Sequence, residues 1–310
     1  MCESKSATEF IARDEMNKTR SNKPVFTRED LERLHAPAPA DVKAFLDEPY
    51  RIAPAKIDEY QEKGYVRLEG IISGAPLEYY RELIGLAVGH RFMDDHRELA
   101  DKRVYEQSFL QAFNLWPHYP AIAEFVQCFR FADVARRMLA VDGVNLWFDQ
   151  ALYKEPGGRI TDYHVDAAFW PVRPAAKTTT IWMALVDVPR ERGCMAFATG
   201  SHKLSPEAEF VDIFNAQEEI ALGENIRDYP WEWAPLNQGD CTFHSGLVYH
   251  RAGANETDTM REAMTIAYMT ADAVFDWPDS NPEAGRRHGF ATSGLTRGDR
   301  LESRFAPRLL

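Results

Sequence analysis

Apolar residues recur at helical spacing in the first half of the chain and in short β-branched runs in the second. Leu77, Tyr80, Leu83, Ile84 and Ala87 follow one another every three or four positions, which predicts an amphipathic helix over 77–88. Ile57–Lys63 reads as a shorter helix stopped by Gly64, and "YVRLEGII" after it reads as a strand. Ile122, Phe125, Val126, Phe129, Val134, Met138 and Leu139 lie on one face of a helix predicted to run from Pro120 to Leu139, with the proline in its first turn. Nearer the start, Thr27 with Asp30 three later resembles a capping box, and Leu31 and Leu34 follow. The prolines of "APAPA" end that helix, and Val42, Phe45 and Leu46 begin another that runs up to Pro49.

After Gly143 the period changes. "VNLWFDQALYK", "TTTIWMALVDV", "CMAFATG", "DCTFHSGLVYH" and "AMTIAYMTA" are β-branched and aromatic runs separated by Gly, Pro, Asn and Asp. Such a succession predicts a sandwich or jelly roll. The expected fold is mainly β with flanking helices. Residues 1–50 read as a partly helical extension. Residues 51–310 read as a single domain, because the helical faces must pack on something, with the β core starting at about 144.

Composition narrows the function classes. The chain has 310 residues, 45% of them hydrophobic, enough for a substantial core. The net charge of −12 is the wrong sign for a nucleic-acid partner. No window approaches 18 apolar residues, so no membrane span is expected, and the polar start lacks the apolar run of a secretory signal. Cys2, Cys128, Cys194 and Cys241 show no paired spacing, which suits free thiols in a reducing cytoplasm and excludes a CxxC zinc site.

The chemistry concentrates in "TDYHVDAAFW". His164 and Asp166 stand two apart and reach one ion if the segment is extended. Alone, H-x-D is a common accident of a polar strand. A histidine from a distant strand would complete a 2-His-1-carboxylate triad, the set that leaves positions open on non-haem iron. "GDCTFHSGLVYHRAGANETDTMR" offers His244 and His250, six apart and expected on one face of one strand. Arg261 follows eleven later, and a hairpin would return it beside His250. An arginine fork suits a carboxylate, and an iron oxygenase using 2-oxoglutarate needs one for the far end of that molecule. Read alone, Arg261 is better explained as a surface ion-pair partner. Two rivals stay open: a zinc hydrolase on a cupin-like scaffold, and a non-catalytic jelly roll that binds a small molecule.

Together, H-x-D, "GCMAFATGSHK" and the His250–Arg261 stretch resemble the phytanoyl-CoA dioxygenase family of Fe(II)/2-oxoglutarate-dependent oxygenases, from about Ile57 to Asp272. The resemblance implies a double-stranded β-helix core of cupin-like type, and Fe(II), 2-oxoglutarate and O2 as cofactors. It implies His164, Asp166 and His250 as iron ligands and Arg261 as the 2-oxoglutarate anchor. Trp182 would line the cosubstrate pocket, Gln150 would face the cosubstrate, and Lys154 would be structural. His244 would support the site through hydrogen bonds, and His202 would be structural. No catalytic residue beyond the metal centre is implied. Ala252 stands where the founder of the family has a hydroxyl, so one cosubstrate hydrogen bond is absent or comes from elsewhere, with Thr180 as the replacement. Val165 between the ligands also departs from the founder, which weakens any transfer of substrate. A carboxylate at 166 favours hydroxylation over halogenation, while desaturation, epoxidation, cyclisation and epimerisation share the same centre.

For the substrate, Phe169, Trp170 and the insertion between Gly200 and Gly239 are the expected lining. Tyr229, Trp231 and Trp233 in "DYPWEW" serve either as a lid or as an anchor of that insertion. Arg173 meets either a substrate anion or a surface carboxylate. No basic cluster suits a CoA phosphate, so the expected partner is a medium-sized, partly apolar metabolite.

Overall fold

The computed structural model describes residues 26–204, 209–277, 283 and 289–310. Cys2, His288 and the extension before Phe26 lie outside these. Six helices of seven residues or more are described: α1 (Arg28–His35), α2 (Ala40–Asp47), α3 (Pro54–Lys63), α4 (Gly74–Arg91), α5 (Pro120–Val126) and α6 (Phe129–Leu139). The strands are β1 (Tyr65–Leu68), β2 (Leu110–Phe113), β3 (Val144–Lys154), β4 (Thr161–His164), β5 (Val172–Arg173), β6 (Thr178–Ala184), β7 (Met195–Ala198), β8 (Trp231–Ala234), β9 (Cys241–Ser245), β10 (His250–Ala252), β11 (Arg261–Thr270) and β12 (Val274–Phe275).

A six-stranded antiparallel sheet, in the order β1-β9-β6-β11-β3-β2, faces a four-stranded one, β4-β10-β7-β8, and the two make a jelly roll. Period-two alternation divides the larger sheet. Met264, Ile266 and Tyr268 of β11, with Ile181 and Met183 of β6, join the helices in one core. The intervening Thr265, Trp182, Thr180, Gln150 and Phe148 turn to the inside of the roll, where they line a cavity. Leu34 of α1 and Val42 and Leu46 of α2 are buried in the helix-side core, so the described part of the extension is packed on the rest.

Local signals hold where they are strong. Thr27 and Asp30 form the reciprocal capping box. Gly64 ends α3 at φ 83°, and a Cβ there would strike the His202 ring at 2.4 Å. His202 Nε2 also faces the Gln61 carbonyl at 3.2 Å, away from the cavity. Cys128, Cys194 and Cys241 are free and buried. Among the described residues no helix is long and apolar enough to cross a membrane.

Three expectations need correction. The helix from Pro120 to Leu139 is two helices, broken at Gln127 and the extended Cys128. The break lets α5 pack on α1 and α4 while α6 lies against the sheet. The segment carrying His244 and His250 is two strands in different sheets, so the histidines meet across the roll instead of along one face. The chain turns at Gly246, where a Cβ would sit 2.1 Å from Thr178 Oγ1, so only glycine passes. Finally, β10 and β11 form no hairpin. β11 pairs with β3 and β6, which sets Arg261 opposite Lys154.

Candidate active site

β4 ends at His164, Val165 is extended, and Asp166 opens a single 3-10 turn through Phe169. The two residues therefore leave a strand end, not a continuous strand. β10 is the neighbour of β4, with His250 directly opposite His164. Asp166 Oδ1 lies 3.8 Å from His164 Nε2 and 3.7 Å from His250 Nε2. One ligand atom from each residue falls within 4.8 Å of the others, a spread that one ion can bridge.

The remaining atoms of these residues are held by the protein. His164 Nδ1 lies 2.8 Å from the Asp162 carbonyl, and His250 Nδ1 lies 3.0 Å from that of Val248. A carbonyl only accepts, so each Nδ1 carries the proton and each Nε2 presents its lone pair inward. Asp166 Oδ2 accepts from the Thr180 hydroxyl at 2.8 Å and from His244 Nε2 at 3.3 Å, leaving Oδ1 for the centre. Burial lowers both ligand histidines, with the His164 charge adding to the effect on His250, so both are neutral near pH 7. Burial pushes the Asp166 carboxyl up, but His250, His244 and His164 outweigh it and hold the group well below its usual range. Two neutral imidazoles and one carboxylate, His250 buried and the other two partly exposed, aimed at one point, are a donor set that fits a divalent iron.

A cavity of about 300 Å³ runs from this cluster to Arg261. Arg261 is 1% exposed. Its Nη atoms donate to the carbonyls of Gly193 at 3.1 Å and Leu152 at 3.2 Å, and its charge lies 5.2 Å from the centre of the Trp182 ring. Among the described residues no carboxylate pairs with it, and its buried Nε has no hydrogen-bond partner. Burial lowers it to about 9, so it stays a cation near neutral pH. An unpaired buried cation on a cavity wall is a seat for an anion. Trp182 and Gln150 line the same cavity. Lys154 is turned instead to the Arg159 carbonyl and the Thr161 hydroxyl, closing the β3–β4 connection.

Thr180 needs a different reading from the one its sequence suggests. It lines the cavity, but its one hydroxyl proton goes to Asp166, so it positions the carboxylate. Replacing it with valine is expected to weaken iron binding by about 10- to 100-fold, as loss of an outer partner of a metal ligand generally does. Anaerobic Fe(II) titration against a chelator reads this directly. An unchanged affinity would mean that His244 alone fixes Asp166.

Phe169 and Trp170 line the cavity as expected. Arg173, Tyr229, Trp231 and Trp233 are not among the lining residues. Trp231 and Trp233 belong to edge strand β8, where the Arg251 guanidinium lies 4.9 and 5.7 Å from their rings, so "DYPWEW" anchors the insertion. The insertion reaches the cavity through Ile213 and Phe214 instead. Sequence reasoning also missed Tyr105, Gln111, Phe113, Phe148 and Thr265. Phe148 was accessible by stepping two back from Gln150 along β3. Gln111, whose amide donates to Gln150 Oε1 at 2.6 Å, carried no motif.

The family model described as phytanoyl-CoA dioxygenase matches residues 35–263. A phytanoyl-CoA dioxygenase domain-containing protein 1 homolog from Caenorhabditis briggsae is 29% identical over 42% of this chain, and the match spans 48% of that protein. The chain thus spans about half the length of the first curated relatives it matches. Among solved structures, the non-heme alpha ketoglutarate dependent carbocyclase SnoK from nogalamycin biosynthesis aligns at TM-score 0.67 and 26% identity, over 85% of this chain and all of that one. The epimerase SnoN, in complex with Fe3+, alpha ketoglutarate and nogalamycin RO, aligns at 0.67 and 26%, over 83% and 98%. With three quarters of its length under one family model and a jelly roll shared with these enzymes, the chain belongs to the phytanoyl-CoA dioxygenase family.

Proposed function

We propose that this protein is a non-haem Fe(II)/2-oxoglutarate-dependent dioxygenase that oxidises, chiefly by hydroxylation, an unactivated C–H bond of a small-molecule metabolite. One observation carries the reading. A converging His164, Asp166 and His250 share a cavity with a buried, carboxylate-free Arg261. His164, Asp166 and His250 would hold the iron, and Arg261 the far carboxylate of 2-oxoglutarate. Iron, 2-oxoglutarate and O2 together supply an oxidant for the C–H bond, with release of succinate and CO2. The chain's own part is positional. The Asp162 and Val248 carbonyls fix the imidazole tautomers, Thr180 and His244 orient Asp166, and Trp182 and Gln150 border the cosubstrate end. Asp166 would supply a ligand to the iron where a halide would otherwise need room, which favours hydroxylation. The SnoK and SnoN likeness supports a role in natural-product biosynthesis. A zinc hydrolase would need a general base outside the ligand set; among the lining residues Asp166 is the sole carboxylate, and His244, the remaining histidine, has its Nε2 turned to Asp166 Oδ2 at 3.3 Å.

The test is anaerobic. Fe(II) followed by 2-oxoglutarate is expected to give a weak charge-transfer band in the green. No band from folded, iron-loaded protein would sink the reading.

A further inference from the structure

Resting on that reading, we propose that the substrate taken by this site is an uncharged, flat, ring-bearing molecule, and not an acyl-CoA, a phosphonate or a free acid. Beyond the cosubstrate end the cavity is walled by two runs of aromatic rings. Phe148 lies 4.8 Å from Phe113 and 5.5 Å from Trp170. Phe214 lies 5.3 Å from Phe169 and 4.7 Å from Tyr105. Rings tilted and edge-on to one another at about 4.5–7 Å offer faces and edges to a planar guest.

The charges decide the rest. Three side chains that are charged at neutral pH line the cavity: Asp166, Arg261 and Arg251. The first two are committed to the metal and to 2-oxoglutarate. Arg251 alternates along β10 with His250 and Ala252, so its guanidinium turns to the other face of that sheet, over Trp231 and Trp233, neither of which lines the cavity. Among the described lining residues no further cation remains to take a phosphate or carboxylate, and a buried unpaired anion is costly. The insertion that supplies Ile213 and Phe214 carries Glu209, Asp212, Glu218, Glu219, Glu224 and Asp228 against Arg227 alone between 209 and 228. That field repels anions on approach.

Calorimetry with 2-naphthol, naphthalene-2-sulfonate, 1-octanol and octanoyl-CoA tests this on anaerobic protein loaded with Fe(II) and 2-oxoglutarate; the two neutral probes are also compared on metal-free protein, while the anionic ones are read only where 2-oxoglutarate fills the Arg261 end. The neutral ring is expected to bind at least tenfold tighter than each of the others. Equal or tighter binding of the sulfonate or the CoA ester overturns the charge argument. Equal or tighter binding of octanol overturns the ring argument, and no binding of 2-naphthol overturns both. The green band reports on the iron site separately, so the two readings fail independently. Phe148→Ala should weaken 2-naphthol at least fivefold. Phe214→Lys, at a position 40% exposed that folding tolerates, should weaken 2-naphthol and strengthen the sulfonate. The opposite pattern in Phe214→Lys also overturns the proposal.

Discussion

The His250→Ala protein is expected to fold and to bind Fe(II) more than about 100-fold more weakly than the parent, beyond the 10- to 100-fold that loss of an outer partner brings. His250 is held on every side. It is 3% exposed, sits in β10 between β4 and β7, and its ring lies 4.7 Å from that of His244 and 4.3 Å from that of His164. The alanine leaves the Val248 carbonyl without its Nδ1–H partner, a loss of about 1–3 kcal/mol in stability. That lowers the melting temperature without unfolding a domain of this size. His164 and Asp166 keep their own supports, so the site survives as a two-ligand remnant. His202→Ala is the control, because His202 lies against Gly64 and the Gln61 carbonyl, outside the cavity. Anaerobic chelator competition should separate the two variants. Parent-like affinity in His250→Ala would remove His250 from the ligand set.

How much of this was legible in the sequence depends on the range of the interaction that decides it. α3 and its glycine stop, the capping box at Thr27 and the alternation of β3, β6 and β11 are set within a few residues, and each was readable. The break at Cys128 was not, because both flanks are apolar and only the layer each half packs on separates them. The convergence of His164, Asp166 and His250 followed from motif order, with β10 as the distant strand, but the expected places of His244 and Arg261 relative to His250 failed. Sheet topology, not strand periodicity, brings His244 and His250 together, and it sets Arg261 beside Lys154 instead of in a hairpin with His250. The insertion misled for a similar reason. Trp231 and Trp233 are the more conspicuous aromatics, but their pairing with β7 turns them onto Arg251, while Phe214 and Ile213 reach the cavity.

Arg261→Met is expected to separate stability from cosubstrate binding. In the free protein the guanidinium is a buried cation whose Nε has no partner, and two carbonyl hydrogen bonds and the Trp182 ring offset part of its desolvation. Methionine removes the buried charge while filling the space. The loss of about 1.5–3 kcal/mol per charged hydrogen bond opposes a desolvation penalty of several kcal/mol. Stability without ligand should therefore change by no more than about 2 kcal/mol in either direction. Binding behaves otherwise. Losing one partner of a buried, hydrogen-bonded charge pair costs about 2–5 kcal/mol, which is roughly 30- to several-thousand-fold in affinity for 2-oxoglutarate. Arg261→Lys keeps the charge but not the two-pronged fork, so it should fall between parent and methionine variant. Thermal melts with and without the cosubstrate read both quantities at once. At about 100 times its dissociation constant, 2-oxoglutarate stabilises the parent by about 2.7 kcal/mol, and the same concentration should stabilise Arg261→Met by less than about 1 kcal/mol. A parent-sized shift in that variant would show that another group holds the far carboxylate, and the buried cation would then need a different anion.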